Sequence, residues 1–308
     1  MSMSNKSRNS PEFFVERLKL SHEIAKENNC LLSEHGDKFF ISKNNNKIIA
    51  SRRHFVYLKD LIKYFEYYFY AVKPRLDGDT AVVDLSEPAY HEVVGFPFGA
   101  VFFSSFPEPA TTTEQYEDFA ALKEGDVVFD LGAYSGLSTI SFSAKVGTSG
   151  RVIAVEPDKE NIFALKRNMD NFKIDNIFLI EGAVWSSVGF VEFSSEGNMG
   201  SSATQFVGNQ RTNMIGSVQS YTLDAIAEMT SVGKVDFIKC DIEGGELEAF
   251  KNKAFFEKFN PRIIMESHYT PLGSTLNPCA AILGEYGYEC EPMEQIGVEL
   301  PLVKFWRN

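Results

Sequence analysis

The sequence predicts an α/β fold, a doubly wound and mostly parallel sheet, preceded by an N-terminal α+β extension. Two observations carry this. From about residue 111, apolar runs of strand length alternate with helical patterns: VVFDLG, RVIAVEP, IFLIEGAV, VDFIKCD and RIIMES. Such alternation is the sequence form of parallel strands joined by crossover helices. The first run also ends in D-x-G-x-x-x-G (Asp130, Gly132, Gly136), followed by small hydroxylated and apolar residues. That is how a buried strand reads when it stops at a tight turn and a helix begins.

Before residue 111 the pattern is different. Residues 1–10 are polar and are expected to lack fixed structure, and 12–29 carry apolar residues at helical spacing. KFFISKNNNKIIAS (38–51) reads as two short strands around an Asn-rich turn. Residues 53–72 read as a helix ended by Pro74, and 79–86 as a strand. Residues 92–110 are rich in Phe, Pro and Gly, with room for further strands. The change near 110 divides the chain into an extension, 1–110, and an α/β domain, 111–308. The extension could serve as a substrate cap or an oligomerisation region, and the oligomeric state is open.

Composition narrows the function. The chain has 308 residues, with 30 Lys and Arg against 42 Asp and Glu, and a formal charge of −12. This balance argues against a nucleic-acid partner, which calls for a basic face. The four cysteines have neither CxxC pairing nor metal-finger spacing and read as reduced thiols of an intracellular protein. The N-terminus has no apolar signal core, and the aromatic run 61–72 is too short to span a bilayer. A cytoplasmic protein without a membrane span is expected.

A fold of this kind binds a ribose through glycines that let the backbone come close, a helix start with unpaired N–H groups, and an acid ending the next strand. Asp130, Gly132 and Gly136 supply the turn, and Glu156, 20 residues after Gly136, supplies the acid. A carboxylate there can accept from both ribose hydroxyls. The spacing departs from the GxGxxG of dinucleotide folds, Tyr134 sits between the glycines, and there is no Tyr-x-x-x-Lys pair. These departures favour a nucleoside cofactor without a pyrophosphate, and S-adenosylmethionine fits that description.

GDVVFDLGAYSG (125–136), VIAVEPDKENIFALKRNM (152–169), SYTLDAI (220–226) and VDFIKCDIEGGELEAF (235–250) together resemble the FkbM family of methyltransferases. The most specific piece is K-x-D-x-E-G-x-E, formed by Lys239, Asp241, Glu243, Gly244 and Glu246. The resemblance covers roughly 111–270. It implies a seven-stranded, Rossmann-like class I methyltransferase domain and methyl transfer from S-adenosylmethionine, usually to a hydroxyl oxygen. It further places Asp130, Gly132, Ala133, Tyr134, Ser135 and Gly136 around the cofactor's methionine end. Glu156 and Pro157 fall by the ribose, Ala183 by the adenine, and Asp241 near the cofactor as well. Many relatives of the fold carry an acid before that alanine. Here Gly182 precedes it, so a backbone contact to the adenine amino group is expected.

Methyl transfer to oxygen requires an aligned nucleophile that gives up its proton. Asp241 and Glu243 end a strand at the sheet's carboxyl edge, where they can orient a hydroxyl, act as base, or favour a sulfonium. Glu266 and His268 are alternate residues ending the next strand, and His268 titrates near neutrality. Asp241, Glu243 and His268 are the candidate catalytic residues. They could together hold a divalent cation, but no compact ligand motif is present and no metal is assigned. Lys239 is expected to pair with one of the acids, and Glu246 to open a helix and complement its dipole. The other histidines are assigned no role. The Gly/Ser/Asn-rich segment 194–217 is expected to shape the acceptor pocket, and Tyr116 to approach the cofactor.

The leading expectation is therefore an S-adenosylmethionine-dependent O-methyltransferase acting on a small molecule or a glycan. Alternatives are a nicotinamide-dependent oxidoreductase on the same fold and a protein that binds S-adenosylmethionine without turnover.

Overall fold

The computed structural model describes residues 11–195, 197–198, 200–203, 215–296 and 300–308. Residues 1–10, and 204–214 of the Gly/Ser/Asn-rich segment, lie outside the described residues. The chain divides after Pro109 into two compact units.

The C-terminal unit is built on seven strands: β1 (Val127–Leu131), β2 (Arg151–Glu156), β3 (Ile177–Glu181), β4 (Phe237–Cys240), β5 (Arg262–Glu266), β6 (Glu289–Met293) and β7 (Leu302–Trp306). Their order is β3–β2–β1–β4–β5–β7–β6. Strands β1 to β5 run parallel, and β7 is antiparallel to both neighbours. This is the mostly parallel, Rossmann-like sheet of seven strands that the sequence predicts.

Each central strand is buried on both faces, which is why it reads as a nearly unbroken apolar run. Phe129 and Leu131 pack on one face with Ile153, Ile238, Phe255 and Met265. Val128 packs on the other with Val152, Phe142, Phe237 and Ile264. The two-residue alternation of the strand assigns neighbours to opposite cores. The chain leaves β1 for β2 on one side, while β4 lies on the other, so the crevice for a ligand opens at the carboxyl ends of β1 and β4.

Two helices set the floor of that crevice. α1 (Leu137–Val146) starts at Gly136, and α2 (Lys159–Phe172) starts at Asp158, whose carboxylate accepts from the N–H groups of Glu160 and Asn161. A side sheet pairs Gly189–Ser194 antiparallel with Ile215–Tyr221 and adds Ser202–Ala203 and Ala183–Val184 at its edges.

The N-terminal unit has its own five-stranded sheet, in the order Leu31–His35, Lys38–Lys43, Asn46–Ser51, Thr80–Leu85, Arg75–Asp77. The predicted hairpin turns at Asn44, whose φ of +52° suits an Asn-rich turn. The single helix expected over 53–72 is instead a 3₁₀ turn (Arg52–Tyr57) and two short helices (Leu58–Lys63, Phe65–Ala71). The break falls at Tyr64, with φ −102° and ψ 31°. Of the aromatic cluster, Phe65 and Tyr68 are buried and Tyr70 is exposed. Among the described residues, no helix is long and apolar enough to cross a membrane.

Candidate functional site

The glycines of the turn are required by the protein itself. A Cβ on Gly132 would lie 1.8 Å from the Asp241 carbonyl oxygen, and its φ is +77°. The ends of β1 and β4 therefore touch, backbone to backbone, only because residue 132 has no side chain. A Cβ on Gly136 would meet Leu165 at 2.2 Å, so this glycine lets α1 close onto α2. Tyr134 holds the turn in a left-handed conformation, φ +49°. Ala133, Tyr134 and Ser135 are buried, and the Ser135 carbonyl accepts from Asn168 Nδ2 at 2.8 Å.

Asp130 is fully buried behind this turn. One carboxylate oxygen accepts from Ser138 and Thr139 of α1 at 2.8 and 2.6 Å. The other lies 3.3 Å from Lys239 Nζ, which also donates to the Gly132 carbonyl at 2.6 Å and reaches Asp241 at 3.9 Å. The β1–β4 register, Asp130 opposite Lys239, makes this link. Lys239 thus pairs with two acids and braces the turn from below.

Glu156 ends β2 as expected, and its surroundings are crowded. Oε2 accepts from the Tyr134 N–H at 2.9 Å, and Oε1 from the Asp158 N–H at 2.9 Å and Asn161 Nδ2 at 3.2 Å. Burial pushes the Glu156 carboxyl up to about 7, against the pull of these donors. An ionised carboxylate offers about four acceptor positions, so three protein donors leave one for a ribose hydroxyl rather than a pair. Pro157 is half-buried beside it. Ala183 is buried, and the absence of an acid at Gly182 has a steric reason. A Cβ there would meet the Gln219 carbonyl at 2.6 Å and the Tyr221 ring at 2.7 Å.

Asp158 organises the wall of the crevice. Its second oxygen accepts from Ser195 Oγ, the Gly197 N–H and Ser201 Oγ at 2.6, 3.0 and 2.7 Å. Asn161 Nδ2 reaches the Asn198 carbonyl at 3.1 Å, and Ser202 Oγ donates to the Glu243 carbonyl at 2.8 Å. This wall is therefore tied both to the neighbourhood of Glu156 and to the acid cluster. Tyr116 is buried in the core below the sheet with Phe142 and Phe237.

The acid cluster gathers at the ends of β4 and β5. His268 is buried, with its backbone held by Thr275. Nδ1 lies 2.9 Å from Glu246 Oε1, while Nε2 faces Asp241 at 3.4 Å, Glu266 at 3.6 Å and Glu243 at 3.9 Å. Burial disfavours the charged ring, but Glu246, Glu243 and Asp241 outweigh it and hold the pKa of His268 well above its ordinary value. Burial and the Asp241 charge push Glu266 up to about 8.

Glu246 opens a short helix, as its position suggested, but its larger role is different. It is fully buried, and Oε1 accepts from the N–H groups of Ile242 and Gly244 as well as facing His268. It shapes a turn in which Glu243 has φ +53° and Gly244 φ +101°. A left-handed non-glycine residue costs on the order of 1–3 kcal/mol and is tolerated where the surroundings enforce it. Sequence reasoning left Glu246 and Glu266 out of the catalytic set and did not find the role of Asp158. For Asp158 a signal existed, since an Asp before a helical run is an N-cap.

The sequence pattern of the family described as methyltransferase FkbM domain matches residues 130–290, over half the chain. The chain belongs to the FkbM methyltransferase family. Its cofactor is accordingly S-adenosylmethionine, and the nicotinamide alternative falls. A probable cobalt-precorrin-6B C(15)-methyltransferase (decarboxylating) of Sulfurisphaera tokodaii is 36% identical over 63 residues, 20% of this chain and 33% of that protein. The chain thus spans about a third of the length of this curated relative. Among solved structures, methyltransferase FkbM from Methylobacillus flagellatus KT is 14% identical, covering 96% of this chain and 60% of its own, with a TM-score of 0.46. Aeropyrum pernix fibrillarin, solved with natively bound S-adenosyl-L-methionine, is 14% identical over 90% of this chain and 98% of its own, with a TM-score of 0.40.

Proposed function

We propose that this FkbM-family methyltransferase methylates a hydroxyl oxygen of a small molecule or a sugar. The reading is carried by the buried His268, fixed by Glu246 at one nitrogen and facing Asp241, Glu243 and Glu266 with the other. A hydroxyl nucleophile must lose a proton, and this cluster can orient the hydroxyl and receive that proton within the set Asp241, Glu243 and His268.

The residues of the crevice fit S-adenosylmethionine. Glu156 retains an acceptor position for a ribose hydroxyl, and the residues from Asp130 to Gly136 shape the turn at its methionine end, with Asp130 acting from behind through Lys239. The first N–H groups of α1 lack intrahelical partners and suit a carboxylate. Pro157 and Ala183 border the ribose and adenine, with backbone rather than an acid before Ala183. When bound, S-adenosylmethionine supplies a methyl group on a positive sulfonium. The acids at the ends of β1 and β4 favour that charge electrostatically.

The test is a panel of hydroxylated sugars and small molecules incubated with the protein and S-adenosylmethionine, with S-adenosylhomocysteine release as readout. NMR of the product then locates the methyl group. A methyl on oxygen is expected; a methyl on carbon or nitrogen sinks the reading.

A further inference from the structure

Asp241 Oδ1, Glu266 Oε1 and His268 Nε2 lie within 4.8 Å of one another, one donor atom from each residue. His268 is buried, yet Nε2 has no hydrogen-bond partner. Its tautomer follows from its other nitrogen. Glu246 Oε1 already accepts from two backbone N–H groups, so as a carboxylate it is matched by a proton on Nδ1. Nε2 is then the ring atom aimed at the oxygens of Asp241 and Glu266, and a cation bound there takes the place of a proton on it. Carboxylates converging on one buried nitrogen call for a positive charge among them, either a proton on Nε2 or a cation in its place.

Among the described residues, the lysine nearest the cluster is committed elsewhere. Lys239, the nearby cation, is engaged by Asp130 at 3.3 Å and the Gly132 carbonyl at 2.6 Å, and it reaches only the far oxygen of Asp241, at 3.9 Å. Four carboxylates, from Asp241, Glu243, Glu246 and Glu266, surround one imidazole.

We propose that Asp241, Glu266 and His268 bind a divalent cation of the Mn²⁺ or Mg²⁺ type through Oδ1, Oε1 and Nε2. Two hard oxygens, one imidazole nitrogen and no thiolate suit an octahedral ion with positions left open. Glu246 is then the outer partner that fixes the ring and its tautomer. Ligand bonds of about 2.1 Å at right angles set donors about 3 Å apart, so the Asp241 and Glu266 oxygens each draw roughly half an ångström closer to Nε2 around the ion. The inference rests on the reading of the site as one for methyl transfer to a hydroxyl. An open position takes the acceptor's hydroxyl oxygen and lowers its pKa, and Glu243, outside the ligand set, accepts the proton.

The experiment uses the full chain after chelator treatment, titrated with Mn²⁺ and followed by the EPR signal of the free ion. The same samples are titrated calorimetrically with S-adenosylmethionine. One Mn²⁺ per chain is expected, with affinity at least tenfold lower in Glu266→Gln and His268→Gln and S-adenosylmethionine binding retained. Asp241→Asn replaces either variant, in the Mn²⁺ titration alone, if circular dichroism shows it unfolded. Absence of Mn²⁺ binding overturns the proposal, as does binding that the variants leave unchanged, which belongs to the acidic surface. Mn²⁺ binding at this site without S-adenosylmethionine binding leaves the cation site standing and sinks the methyl-donor reading. The opposite pattern sinks the cation alone.

Discussion

At Glu156 one carboxylate does two jobs: it holds the turn through Tyr134 and retains an acceptor position for a ribose. Glu156→Gln must set an amide N–H₂ against one of the N–H donors of Tyr134, Asp158 or Asn161. Losing a hydrogen bond to a charged group costs about 1.5–3 kcal/mol, so cofactor affinity measured by calorimetry is expected to fall about 10- to 100-fold. The same residue sets a pH dependence. Its native pKa is raised from the ordinary carboxyl value to about 7. Stability from this group is therefore fully present at acid pH and declines as pH rises toward 7. Ribose binding runs the other way, because the ionised form accepts the hydroxyl. Adenosine, which has no titrating group in this range, is expected to bind about tenfold more weakly at pH 6 than at pH 8. A flat profile in the wild type, or a slope that persists in Glu156→Gln, would refute this assignment.

Lys239 poses a separate residue-scale case. It is buried between Asp130 and Asp241, and its removal leaves the Asp130 charge without compensation. Lys239→Met is expected to cost about 3–5 kcal/mol in urea unfolding, and Lys239→Met with Asp130→Asn to recover part of that loss. Additive single effects would mean that the pair is not coupled.

At the scale of elements, Asp158 couples a helix start to the crevice wall. Asp158→Ser keeps an N-cap oxygen for α2 but removes the second oxygen that holds Ser195, Gly197 and Ser201. Hydrogen exchange is expected to quicken at Gly197 and across 200–203, with little change within α2. Equal quickening in both would show that the cap, not the wall, was lost. This scale also explains what the sequence did and did not reveal. Strands β1, β2, β4 and β5 were legible because burial on both faces leaves continuous apolar runs, and the turn and Glu156 because their spacing is local. Strands β6 and β7 left no such trace: β6 (ECEPM) is an edge strand and mostly exposed. The break at Tyr64 was masked by an apolar pattern that continues through it. Glu246 and Glu266 were underread because their meeting at His268 depends on the parallel register of β4 with β5, Cys240 opposite Met265, which no local spacing encodes.

At the scale of the molecule, the site and the fold that builds it lie in one compact unit. Every residue from Asp130 to His268 discussed above falls within 110–308, and that unit carries its own cores on both faces of a seven-stranded sheet. Ten of the twelve largest fully buried side chains are phenylalanines, seven of them in this unit. Each such burial contributes about 1.5–3 kcal/mol, so the unit does not depend on residues 11–109 for a core. A fragment of residues 110–308 is therefore expected to unfold cooperatively and to bind S-adenosylmethionine within about tenfold of the full chain. Calorimetry and urea unfolding on the fragment and the full chain decide the matter. A fragment that folds but loses the cofactor would assign residues 11–109 a part in binding it. A fragment that does not fold would show that the C-terminal cores, though closed on both faces, are not sufficient.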